Sequence, residues 1–254
     1  MSRAILTIAY FTFLEAARAR LTRLMLLVLL AAFAGSLFLN AIAIADSQRI
    51  QTAFLAAVLR PAGVFMLSLF VIGSLTREFD EKGVELILSL DIPRTSYVIG
   101  KLLGHMGIGL LLATATTLLL AAFAPPGQAA LWGVSLLCEL WIMAALSLFC
   151  IFTFSQLMPA MSLVLAFYLL ARSIGAIQLI GHSPLGGDGI GQQFMVHAVD
   201  AIALLLPRLD TFTQTAWLVD GGNWSQLVPI VLQTAIYLAL LTAGALFDLA
   251  RKNF

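Results

Sequence analysis

The sequence predicts an all-α integral membrane protein with six transmembrane helices. Hydrophobic residues make up 61% of the chain and charged residues only 11%, where a soluble domain carries about 25% charge. So little charge cannot cover a water-facing surface. The apolar residues also gather in six continuous runs, at about 24–45, 53–76, 98–123, 131–154, 157–180 and 227–249. Each is near the roughly 20 residues that a spanning helix needs. They are far longer than the roughly ten-residue alternating segments of a membrane β-barrel, which argues against strands. Residues 1–254 therefore read as a single transmembrane domain.

Residues 1–23 precede the first run. Met1-Ser2-Arg3 followed by apolar residues has the outline of a signal peptide. However, Thr7, Thr12 and Glu15 interrupt the run, and Arg18, Arg20 and Arg23 follow it, where translocation is opposed. An interfacial amphipathic helix leading into the first span is the preferred reading. The second run contains Arg60-Pro61. Either the span starts near 53 and kinks at the proline, or 46–60 is a short external segment and the span is short and tilted. Both readings stay open. On the third run, Gly100, Gly104 and Gly107 permit close approach of another helix. Cys138 and Cys150, twelve residues apart on the fourth run, cannot bridge each other and read as small packing residues.

Between the second and third runs the composition changes. Arg77 to Lys101 holds four of the fourteen Lys and Arg and five of the thirteen Asp and Glu. Phe79, Val84, Leu86, Ile87, Leu88 and Leu90 mix there with Glu78, Asp80, Glu81, Lys82 and Glu85. That pattern describes a short amphipathic helix over about 78–90, stopped by Pro93. It suits a docking surface for a soluble partner; a solvated loop with membrane-anchoring charges is the alternative.

The basic residues orient the chain. With the N-terminus in the cytoplasm, Arg3, Arg18, Arg20, Arg23, Arg77, Lys82, Arg94, Lys101, Arg251 and Lys252 lie inside. Arg49, Arg60 and Arg208 lie outside or near the outer edge, and Arg172 is within a span. Ten against three predicts cytoplasmic termini.

Glu139 and Arg172 fall within the fourth and fifth runs, each about eight residues, or about 12 Å, from the outer end. A charge at mid-bilayer costs about 2.5–3.5 kcal/mol when unpaired. The two runs are joined by a short turn near Gln156, so a Glu139–Arg172 ion pair is expected, either lining a substrate path or clasping two helices. Separate snorkelling side chains are the alternative.

Residues 181–226 are expected outside. Gly181, Gly186, Gly187, Gly189 and Gly191 loosen the first part, and Phe194–Leu206 reads as a helix ended by Pro207. Trp217 and Trp224 suit a membrane interface. His197 and Asp200 share a helical face, with His182 as a third candidate, but a metal site needs three or four converging ligands, so no metal site is assigned. Met66, Met143, Met158 and Met161 read as packing. Asn223-Trp224-Ser225 fits a glycosylation acceptor only in a eukaryotic host. A net charge of +1 gives no sign of nucleic-acid binding. An intramembrane enzyme needs a nucleophile with a base or clustered carboxylates. Gly181-His182-Ser183-Pro184 is no G-x-S-x-G motif, and Glu139 stands alone in its run.

The Arg77–Lys101 segment resembles the cytoplasmic signature of ABC-2-type transporter permeases, in the branch grouped with multicopper-enzyme maturation permeases. Arg77-Glu78, Asp80-Glu81, Glu85-Leu86-Ile87-Leu88-Ser89, Arg94, Tyr97 and Gly100-Lys101 carry the likeness. The chain departs from the family at Asp91, where Pro is usual, and at Pro93, where Ser is usual. The six spans, the N-terminal interfacial helix, the long loop before the last span and Leu206-Pro207 with Phe212 also match.

The resemblance implies the permease subunit of an ATP-driven exporter in a bacterial inner membrane. Residues 77–97 would be the coupling loop, with Glu78, Glu81, Glu85, Ser89, Arg94 and Lys101 facing a separate ABC ATPase subunit. No G-x-x-x-x-G-K-[ST] motif exists in this chain, so ATP and Mg are expected on that partner and no cofactor on this chain. A second permease copy or a paralogue would complete the pathway, and short external helices would precede the last span. The alternatives are a polytopic membrane enzyme or a channel or scaffold subunit without ATP coupling.

Overall fold

The computed structural model describes residues 2–18, 20–42, 46–83, 93–182 and 190–251, and every regular element among them is helical. In chain order these are α1 Ser2–Arg18, α2 Arg20–Ile42, α3 Ser47–Asp80, α4 Arg94–Ala121 and α5 Pro126–Phe154. They continue as α6 Leu157–Gly181, α7 Ile190–Leu205, α8 Thr215–Val219 and α9 Leu227–Arg251. Single 3-10 turns occupy Leu209–Thr211 and Trp224–Gln226. Among the described residues five helices are long and apolar enough to cross a membrane: α3, α4, α5, α6 and Trp224–Arg251, which contains α9. Helix α2 has a shorter described apolar stretch, Arg23–Leu39. The chain is a multi-pass helical membrane protein.

Local chemistry sets the helix ends. Pro126 opens α5 at a first-turn position, where its missing N–H costs nothing. Ser155 closes α5 in the left-handed conformation, φ 57°, and α6 begins two residues later, so α5 and α6 form a tight antiparallel hairpin. Pro93 holds the residue before α4 extended. Before α9, Asn223 and Gln226 form a reciprocal capping box.

Helix α3 decides the question left open at Arg60-Pro61. It runs without interruption from Ser47 through Pro61 to Asp80, 34 residues. At 1.5 Å per residue it is about 51 Å long, well beyond the ~30 Å hydrocarbon core. The stretch 47–60 is therefore the first part of the same helix.

Helix α5 is the axis of the bundle. Of its most apolar window 78% is buried, against 17% for the window in Trp224–Arg251. It packs against α3, α4, α6 and α9, and Trp132, Leu136, Leu140 and Met143 are fully enclosed. The rim helices turn apolar residues outward, among them Leu118, Leu169, Leu179 and Leu240, the surface a bilayer would solvate.

Helix α1 seats on α4 rather than lying apart from the bundle. A Cβ on Gly104 would stand 2.6 Å from Thr12 Cβ, and one on Gly100 would stand 2.9 Å from Ile8 Cβ. The glycine face of the third run is thus the seat of α1. The opposite face of α1 exposes Leu6, Tyr10 and Phe11.

Candidate functional site

Two polar clusters interrupt this apolar bundle. The first lies where α3 ends and α4 begins. Glu78, in the last turn of α3, forms an ion pair with Lys101 of α4 at 2.7 Å, and Tyr97 donates to the same carboxylate at 3.0 Å. The Lys101 side chain is 7% exposed and that of Glu78 17%. Desolvated to this degree, removing one partner would strand the other charge. Beside the pair, Ser74 of α3 donates to Glu15 of α1 at 2.9 Å. A pocket of about 320 Å³ opens between Thr7, Phe11, Glu15, Glu78 and Lys101. Arg94, at the start of α4, donates to the carbonyls of Leu249 at 2.7 Å and Ala250 at 3.0 Å. These are among the last carbonyls of α9, which have no partner within their own helix and carry its negative dipole end. One end of the bundle thus ties α1, α3, α4 and α9 together.

The residues expected to face an ATPase divide here. Glu81 follows α3 directly and is exposed. Glu78 and Lys101, expected to act in ATPase coupling, turn inward to each other: a carboxylate and an ammonium on adjacent helices satisfy each other before they reach solvent. Arg94 is bound to α9. Glu85 and Ser89, and with them most of the expected helix over 78–90, lie outside the described residues.

The second cluster is deeper, towards the other end. Its centre is Thr213, fully buried and held at φ 45°, a left-handed conformation rare for a β-branched residue. Every polar atom of Thr213 is engaged. Its N–H donates to Ser135 at 2.9 Å, and its carbonyl accepts from Arg60 at 2.9 Å and from Trp132 at 3.2 Å. Its hydroxyl donates to Glu139 at 2.7 Å and accepts from Arg172 at 3.4 Å and Arg60 at 3.5 Å. Arg172 also donates to the carbonyls of Leu209 and of Phe212, the latter at 3.0 Å. Tyr168 of α6 faces the Glu139 carboxyl.

The physical reason is the backbone of 206–214. It is irregular, and Leu206, Leu209, Phe212 and Thr213 are buried among the spans. Non-helical backbone is tolerated at that depth only where protein groups satisfy it. The two arginines and the tryptophan supply those donors. This corrects the expected Glu139–Arg172 ion pair. The two residues do come together, but no direct ion pair joins them; the Thr213 hydroxyl donates to Glu139 and accepts from Arg172. Trp217 is likewise corrected: it is 3% exposed, under the bundle rather than at an interface, while Trp224 is 54% exposed.

Sequence reasoning missed Thr213, Ser135 and Trp132, and placed Arg60 merely near an edge. The available signal was Arg60 inside an apolar run, with Arg208, Asp210, Thr211, Thr213 and Gln214 following Leu206-Pro207. Asp200, considered with His182 and His197 for a metal, instead accepts from Gln178 at 2.9 Å and pairs with His182 at 3.4 Å, docking α7 on α6. Among the described residues no three His, Cys, Asp or Glu side chains gather as a metal site. No model of a known protein family matches the chain, and no curated protein matches it.

Proposed function

We propose that this chain is the membrane-spanning permease subunit of an ABC-2-type exporter in a bacterial inner membrane, driven by a separate ATPase subunit. The observation that carries the reading is the cross-linked end of the bundle. The segment bearing the resemblance, Arg77–Lys101, begins in the last turn of α3, which ends at Asp80, and runs into α4, which begins at Arg94. Glu78–Lys101 locks its two flanking helices, and Arg94 locks its exit to α9. A push on that loop would reach α1, α3, α4 and α9 together rather than bend one helix. That is the mechanical property a coupling element needs.

In this reading α2 is a sixth crossing, which puts both termini on one side, the cytoplasmic side by the bias of Lys and Arg. The interfacial role falls to α1, and α7 and α8 are the short external helices before the last span. Glu81, Glu85 and Ser89 contact the ATPase, which holds ATP and Mg, while Glu78, Lys101 and Arg94 transmit its movement. A second copy or paralogue completes the pathway.

The test is co-purification with an ATPase from the same genome, followed by ATP turnover with and without this chain. Binding and a change in turnover are expected. Glu85→Ala should weaken binding, and Arg94→Ala should leave binding intact but uncouple turnover from the permease. An intact chain that neither binds nor modulates any ATPase refutes the proposal.

A further inference from the structure

A cavity lies on the flank between α2 and α3, with its Ser74 and Arg77 end beside the first cluster. It has a volume of about 850 Å³. Its walls are apolar: Ala62, Phe65, Leu69 and Phe70 from one face of α3, Leu24 and Val28 from α2. Leu24, Phe65 and Leu69 are substantially exposed within it. From Ala62 to Arg77 it follows α3 for about 22 Å at 1.5 Å per residue, comparable to the ~15 Å of one leaflet's hydrocarbon plus its headgroup layer.

One end of this groove is different in chemistry. Arg18, Arg23 and Arg77 line it there, and no described acidic residue does. No carboxylate among the described residues lies within 4.0 Å of any of the three. Glu15, one turn before Arg18 on α1, receives a hydrogen bond from Ser74 on its carboxylate. Three arginines, from two helices and the end of a third, line a groove whose other walls are mostly apolar.

We infer that this groove is a binding site for an anionic phospholipid of the adjoining leaflet, phosphate on Arg18, Arg23 and Arg77 and acyl chain along α3. The charge fits: a guanidinium fork binds phosphate oxygens in pairs, and basic pockets between membrane helices hold anionic headgroups. The shape fits a lipid rather than free phosphate, because an inorganic anion leaves the apolar length unfilled. The site rests on the multi-pass membrane reading alone and is independent of ATPase coupling.

The full-length chain and Arg23→Gln/Arg77→Gln are reconstituted in nanodiscs of phosphatidylcholine containing a minority of phosphatidylglycerol. They are then released in mild detergent, and retained lipids are counted by native mass spectrometry. Wild type should retain phosphatidylglycerol in preference to phosphatidylcholine. The double variant should lose about fivefold of that preference per arginine, and Arg251→Gln, a basic residue stacked on Phe247 outside the groove, should lose none. Leu69→Trp, which fills the apolar walls, should lower retention of both lipids while leaving the thermal transition in place. Equal preference in wild type and double variant overturns the inference, as does an equal loss in Arg251→Gln. A change in oligomer mass without a change in lipid count would make the face a contact between copies and also overturn it.

Discussion

Replacing Thr213 with valine removes one hydroxyl and little else. In the folded chain that hydroxyl donates to the fully buried Glu139 at 2.7 Å and accepts from Arg172 and Arg60 at 3.4 and 3.5 Å. The two long contacts are weak by distance, so the short one sets the magnitude. Leaving a buried polar group without its partner costs about 1–3 kcal/mol, more when it is charged. Thr213→Val should therefore destabilise by about 2–3 kcal/mol. Thr213→Ser keeps the hydroxyl and loses one methyl, about 0.8 kcal/mol of burial, partly offset because serine is less crowded than a β-branched residue at φ 45°. The assay is unfolding of the detergent-solubilised chain by SDS titration for wild type, both Thr213 variants, Glu139→Gln and the Thr213→Val/Glu139→Gln double variant. Coupling between the two positions should be at least about 0.5 kcal/mol. If Thr213→Val is as stable as Thr213→Ser, or the two positions are additive, the hydroxyl is not the keystone and the argument for a satisfied irregular segment fails.

The other predictions concern the rest of the bundle. Lys101→Met should cost about 3 kcal/mol by stranding Glu78, and adding Glu78→Gln should recover part of it, read in the same unfolding assay. The exposed Arg49–Asp220 pair, with side chains 55% and 62% exposed, is the contrast: Arg49→Ala should change stability by under about 1 kcal/mol, with an effect that fades in salt. Gly104→Val should force α1 from its seat and raise protease cleavage near its end, because even a Cβ there stands 2.6 Å from Thr12. Gly127→Ala, with nothing within 4 Å of the added atom, should not.

The boundaries most visible in sequence were those with local causes. The fifth span was expected at 157–180 and α6 runs Leu157–Gly181; the last was expected from 227 and α9 begins at Leu227. In both cases an apolar run meets polar or turn-forming residues, and that contrast is written in adjacent positions. The start of α3 was missed by six residues because Gln48, Arg49 and Gln51 are polar yet helical. Gln48 bonds to the carbonyl of Phe123 and Gln51 to that of Ser36, contacts with residues distant in sequence.

The sequence by itself determined that this is a helical membrane protein, where most of its long apolar helices run, and that Glu139 and Arg172 fall within such helices. Those properties follow from hydropathy and helical rise, which are sums over neighbouring residues. Only the tertiary structure decided what those charges meet. Thr213 lies 74 residues from Glu139 and 41 from Arg172, and no local pattern marks it. It became the hub because an irregular segment folded back among the spans, and its backbone needed donors where water is absent. The same holds for Arg94, whose partner is the end of α9, and for the glycines of α4, whose occupant is α1. A residue's depth in a membrane can be read along the chain, but its partner depends on which helices pack together.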